Sequence, residues 1–215
     1  MSSSTDERPG VPPSRSAVAT VLVAAVLALG GCVSTGGRAD RTVTAQEVLD
    51  AGEVVYDLRT PPTRDEVGMA EGRSTLGIQH DGGRPLVDVT VVLDDDVRLE
   101  VAASLITFNS IRAGADGDPT TLELVTTYPS VEAAHAHLVD LVDRFDGDLG
   151  AVEQWRTEAE RLVGAAGAGG EPTYATTVFA LGQVGAVELE VEAATFATRG
   201  EVGVRHVLTW EPAGS

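Results

Sequence analysis

Residues 187–196 read VELEVEAATF, and their alternation decides the fold. Val187, Leu189, Val191 and Ala193 take every second position, and Glu188, Glu190 and Glu192 take the positions between. Successive side chains of a strand point to opposite faces, so this stretch buries one face and wets the other. A parallel strand covered on both sides would not carry a row of carboxylates. The stretch therefore predicts an antiparallel sheet with one solvent face. Its neighbours extend that sheet. Strands are expected at about Tyr174–Leu181 and Val202–Trp210, the latter with Val204, His206, Leu208 and Trp210 in the apolar register.

The pattern changes period upstream. Pro129-Ser130 opens a helix, with Ser130 as N-cap and Glu132 favourable in the first turn. Val131, Ala134, Leu138, Leu141, Val142 and Phe145 then fall at helical spacing. Gly147 and Gly150 interrupt. A second helix is predicted over 151–165, with Val152, Trp155, Ala159, Leu162 and Val163 on one face. Residues 164–172, GAAGAGGEP, form a connector.

More strands precede the helices. Candidates are Val54–Leu58, Ser74–Gln79, Val87–Leu93, Val97–Val101 and Leu122–Tyr128. Asp94-Asp95-Asp96 reads as the tip of a hairpin, and Asp81-Gly82-Gly83 and Asp116-Gly117-Asp118-Pro119 as turns. Val97, Leu99, Val101, Ala103 and Leu105 continue one period-two run that keeps a single face buried. Thr44–Glu47, TAQE, is a capping box that starts a short helix ended by Gly52. Residues 60–73, with two prolines and no periodicity, are expected to be an irregular loop. The predicted class is α+β: an antiparallel, curved sheet with two amphipathic helices packed on one face, forming one domain over 44–215.

Composition narrows the partners. The 215 residues carry a formal charge of −18, with 43% hydrophobic and 22% charged residues. That is a globular profile, and its acidity disfavours nucleic acid and anionic lipid as partners. All 15 basic residues are Arg and aromatics make up only 4%, so the core must be built from Val, Leu and Ala.

The amino terminus reads as an address. Arg8 and Arg15 precede an apolar run, Ala17–Leu29, broken only by Thr20. As a helix the run would reach roughly 20 Å, short of the roughly 30 Å of a bilayer core. A short apolar run behind a basic segment is the form of a secretory signal peptide. It ends in Leu29-Gly30-Gly31-Cys32, and Cys32 is the sole cysteine. This tetrad resembles the lipobox of bacterial lipoproteins. The resemblance implies a signal peptide over 1–31, cleaved before Cys32, and a diacylglyceryl group on the Cys32 thiol. It further implies a membrane partner through that anchor, at the extracytoplasmic face. Residues 32–43, small and polar, would be a flexible tether. Two other readings stay open: a soluble secreted protein cut near Ala28-Leu29-Gly30, and an uncleaved anchor, for which the run is short.

Motifs for chemistry are sparse. No nucleophile elbow, zinc-protease helix, phosphate loop or dinucleotide fingerprint occurs, so no catalytic residue, metal ligand or cofactor is assigned. His135 and His137 lie two apart on the first long helix, about 200° around its axis, so they do not share a metal. Both are expected on a solvated flank. His80 reads as a turn residue. His206, in the apolar register of the last strand, is the possible pocket residue. The Asp runs at 94–96 and 116–118 lack the spaced ligands of a calcium loop. The row Glu188, Glu190, Glu192 is expected to be solvated, with Arg98 or Arg205 as possible cross-strand partners.

Two functional classes follow. One is a non-catalytic envelope lipoprotein that binds a protein, a lipid or a small ligand. In the gross order of its elements the chain is similar to some mycobacterial lipoproteins that carry acylated lipids between a curved sheet and helices. A cavity of several hundred cubic ångströms there would favour lipid carriage. The other is an envelope hydrolase using Asp, Glu or His, which would need His206 and a carboxylate to converge in a cleft.

Overall fold

A computed structural model describes residues 33–35, 44–79, 86–111, 113–114, 116–166, 174–197 and 199–211. In chain order the elements are β1 (Val33–Thr35), α1 (Ala45–Ala51), β2 (Glu53–Asp57), α2 (Arg64–Val67), β3 (Thr75–Gln79), β4 (Val87–Val92), β5 (Arg98–Ala103), β6 (Leu105–Asn109), β7 (Thr121–Tyr128), α3 (Val131–Arg144), α4 (Leu149–Ala166), β8 (Tyr174–Val184), β9 (Val187–Phe196) and β10 (Glu201–Trp210). The fold is α+β, and its large antiparallel sheet is curved and open rather than closed into a barrel.

That sheet has the order β3-β6-β7-β10-β9-β8, with every neighbouring pair antiparallel. The alternation in β9 is realised: Val187, Leu189, Val191 and Ala193 are buried, and Glu188 and Glu190 are exposed. The register places His206 of β10 between Leu124 of β7 and Val191 of β9, so these side chains share the inner face. Helices α3 and α4 pack on that face, α3 over β7 and β10, α4 over β8 and β9. Their stripes behave as the spacing predicts: Val131, Ala134, Leu138, Leu141 and Val142 of α3 are buried, as are Val152, Trp155, Ala159 and Leu162 of α4. Ser130 accepts a hydrogen bond from the Ala133 amide at 3.1 Å, which caps α3.

A second sheet, absent from the sequence-based expectation, has the order β1-β2-β4-β5. Within it β1 runs parallel to β2 and β2 parallel to β4, and only β4-β5 is an antiparallel hairpin. Strand β1 lies inside the stretch expected to be a tether. Its residues Val33, Ser34 and Thr35 pair with Val54, Val55 and Tyr56 along the otherwise open edge of β2. The small sheet packs against the inner face of the large one, where Tyr56 meets Phe108 edge-on at 5.0 Å between ring centroids.

The two sheets are joined at Ser104. The sequence predicts one alternating run from Val97 to Leu105, but the phase slips there. Leu99, Val101 and Ala103 are buried, Leu105 is only half-buried, and Ile106 and Phe108 take over the inner face. One inserted residue flips every side chain that follows to the other face, which lets a continuous chain serve two sheets. The corner is tied to β7 by three bonds. The Ser104 amide and hydroxyl both donate to the Val125 carbonyl, at 2.7 and 3.0 Å, and the Thr126 hydroxyl donates to the Ala102 carbonyl at 2.8 Å.

Both ends of α1 are as expected. Thr44 accepts from the Glu47 amide, Glu47 accepts from the Thr44 amide at 2.9 Å, and Gly52 takes the left-handed conformation at φ 72°. The loop over 60–73 is not wholly irregular, because it contains α2. Thr63 and Glu66 form a second capping box and Gly68, at φ 74°, closes the turn. Four helical residues are too few to show a 3.6-residue period, but TRDEVG carries the same capping signal as TAQEVL. The Arg64 guanidinium holds this loop by donating to the carbonyls of Ala70, Arg73 and Gly117.

The corner yields a test. Thr126→Val keeps shape and removes the donor to Ala102, leaving a part-buried carbonyl with one bond fewer. The expected cost is about 1 kcal/mol, read as a lower urea midpoint at unchanged slope. An unchanged midpoint would mean that this bond does not hold the corner.

Candidate functional site

The inner face of the large sheet carries one polar cluster under α3. His137 lies three residues after Ala134 and four before Leu141, so it falls on the buried stripe of the helix. His206 projects from β10 toward it and is fully buried. The two Nε2 atoms are 2.8 Å apart, and His206 Nδ1 lies 3.2 Å from the Leu124 carbonyl oxygen. The Tyr128 ring stacks on His137 at 5.1 Å with an interplanar angle of 28°.

Hydrogen-bond logic assigns the protons. A carbonyl only accepts, so His206 Nδ1 carries hydrogen and donates to Leu124. Neutral His206 then has a bare Nε2, which accepts from His137 Nε2–H. His137 in turn has a bare Nδ1. Each facing nitrogen thus has its partner, and a second proton between the rings would set two donors against each other. Burial pushes the His206 imidazole down to about 3, helped by its neighbour His137 and opposed by the bond to Leu124. Burial also pushes His137 down to about 4, with Asp140 opposing and Arg144 assisting. Burial raises the Tyr128 hydroxyl to about 12. At neutral pH the three groups are uncharged. Such a pair is a weak base, and among the described residues no carboxylate hydrogen-bonds to it. It suits holding α3 in one position over β7 and β10, because sliding the helix would orphan a buried nitrogen.

The remaining candidates are dispersed. Cys32, Leu29, Gly30 and Gly31 lie outside the described residues, as do His80 and the turn Asp81-Gly82-Gly83. His135 reaches α4, where its Nε2 sits 2.9 Å from Glu153. His137 departs from the expected solvated flank. The signal for its burial was present, since Ala134 and Leu141 bracket it at i−3 and i+4, but a polar residue at that position reads equally as a flank. Asp95 and Asp57 clasp Arg59, and the hydrogen bond from Arg59 holds the Asp57 carboxyl below the usual range. Asp118 accepts from the Arg64 amide at 2.8 Å and so serves the start of α2. On the outer sheet face Arg205 pairs with Glu192 and lies 3.6 Å from Glu123. Arg98 is on the other sheet, where its carbonyl faces Arg144. Among the described residues no group of three or more His, Cys, Asp or Glu is placed to hold a metal ion.

The buried apolar side chains between sheets and helices form one cluster, in which Phe108, Leu124, Leu138, Val152 and Leu189 are among the most buried. A groove of about 480 Å³ lies on the surface, lined by Ala136, Val139, Asp140 and Asp143 of α3 and by Asp146, Gly147 and Leu149 of the following turn and helix. Comparison with known protein families, with curated proteins and with solved structures finds no match to this chain. Among the described residues no helix is long and apolar enough to cross a membrane.

The buried pair predicts an acid-sensitive stability. Both folded-state pKa values lie below the ordinary imidazole value of 6.5. The unfolded chain therefore binds protons first, and stability falls as pH drops from about 6.5 toward 4. The slope approaches about 1.4 kcal/mol per pH unit for each ring that stays neutral, less for the half-buried His137. Urea midpoints between pH 7 and pH 4 measure it. His137→Phe combined with His206→Leu should flatten the profile; a profile equally steep in that variant would place the acid sensitivity elsewhere.

Proposed function

We propose that the protein is an exported lipoprotein, held at the extracytoplasmic face of the plasma membrane by acyl chains on Cys32, and that its α+β domain is a non-catalytic binding module. The observation that carries this reading is the tetrad Leu29-Gly30-Gly31-Cys32 directly behind the apolar run Ala17–Leu29, in a chain with no other thiol. Two acyl chains suffice for stable attachment, since each buried CH₂ contributes about 0.8 kcal/mol. A protein of formal charge −18 gains no attraction from anionic lipid, so attachment rests on the acyl chains alone. On this reading the anchor leads almost directly into β1, and the domain stands close to the bilayer rather than at the end of a tether.

Support for binding over catalysis comes from His206, which is fully buried and offers no atom to a substrate. Its partner His137 titrates near 4, far from the range of a general base at neutral pH. The protein or small ligand bound would meet the open outer face of the large sheet, where acidic side chains of β9 stand beside Arg205.

Cells fed labelled palmitate test the anchor. The wild-type chain is expected to take up label and to have a mature mass set by cleavage before Cys32, while Cys32→Ala takes up none. An unlabelled wild-type protein, or label persisting in Cys32→Ala, would sink the lipoprotein reading.

A further inference from the structure

Strand β8, Tyr174–Val184, closes one side of the large sheet and among the described residues pairs only with β9. Its outer edge therefore presents a row of backbone N–H and C=O groups. Among the described residues no other backbone group bonds to it. Proteins usually guard such an edge with charge, proline or brevity. Here YATTVFALGQV spans 11 residues without a single Asp, Glu, Arg or Pro, in a chain of which 22% is charged. The other edges are guarded. Strand β3 has 5 residues, β1 has 3, and β5 carries Arg98 and Glu100. The only irregularity in β8 is a bulge between Ala180 and Gly182, which leaves Tyr174–Ala180 regular. In that regular stretch Val178 stands 58% exposed on the outer face.

We propose that this edge is a dimer seam: two copies of the chain pair β8 with β8, antiparallel about a two-fold axis at Val178, within the regular stretch Tyr174–Ala180, so that the two large sheets become one. A second copy fits better than a foreign segment because the edge complements itself. Antiparallel pairing about a two-fold sets Thr176, Val178 and Ala180 against the same neutral residues of the partner, with no charge on either side to repel or to be left unpaired. The acidic rows do not prevent it. The β9 strands of the two copies would be three strand spacings apart, about 14 Å at about 4.8 Å each. That exceeds the screening length of about 8 Å at physiological salt. Glu192, opposite Val178 in the register, is already paired with Arg205. The seam requires no ligand and does not depend on Cys32, so its failure and that of the membrane anchor are told apart by separate readouts.

The test uses the full chain, purified in mild detergent from whichever cell fraction holds it. Sedimentation velocity is expected to give a dimer for the wild type. Val178→Lys, a lone exposed change that places like charges across the axis, should raise the dimer dissociation constant by about tenfold or more while the far-ultraviolet circular dichroism is unchanged. As a second measurement, Val178→Cys should form a disulfide-linked dimer on mild oxidation, whereas Ile111→Cys, more solvent-accessible but on the loop after β6, should not. A monomeric wild type, a dimer indifferent to Val178→Lys, or equal cross-linking at both positions would overturn the proposal.

Discussion

The inner face of the six-stranded sheet must be covered along its whole width, and no one element is wide enough. Six strands at about 4.8 Å span about 24 Å, and two packed helices at 8–10 Å between axes cover less than that. Helices α3 and α4 lie over β7, β10, β9 and β8. The strip over β3 and β6 needs another cover, and the small sheet supplies it through contacts such as Tyr56 on Phe108. The corner at Ser104 follows from the same need. A single chain can pass from cover to covered sheet only by changing its face, and the one-residue slip between Ala103 and Ile106 accomplishes that change.

Covering the sheet brings two histidines into the apolar layer. Both nitrogens of the buried His206 find partners there, Nδ1 in the Leu124 carbonyl and Nε2 in His137. The pair is compatible with the core only while both rings are neutral, which makes the packing of α3 sensitive to acid. The same burial removes His206 from any role at the surface. Among the described residues the domain offers to solvent the edge of β8, the acidic outer face of β9 and the groove beside α3.

Much of the fold was legible because it is written in local periods. The alternation over 187–196 identifies the antiparallel sheet, the stripe from Val131 to Phe145 identifies the long helix, and TAQE with Gly52 marks both ends of α1. Helix α2 escaped for want of length, although Thr63 and Glu66 carry the same capping chemistry. The parallel pairing of β1 with β2 and of β2 with β4 left no trace, because pairing between segments distant in sequence is a matter of register and not of composition. Of the candidate site, His206 was visible from its apolar register, whereas His137 looked like a flank residue. Its partner is 69 positions away, and nothing local announces that distance.

The amino-acid sequence by itself determined which faces are apolar and where helices start and stop, since each depends on residues within a few positions of one another. Only the tertiary structure decided that there are two sheets, that Ser104 is where the chain changes face, that β8 is left as an uncharged edge, and that His137 and His206 share a proton. Those outcomes depend on which distant surfaces must be covered together, and that is settled by burying the whole apolar area at once.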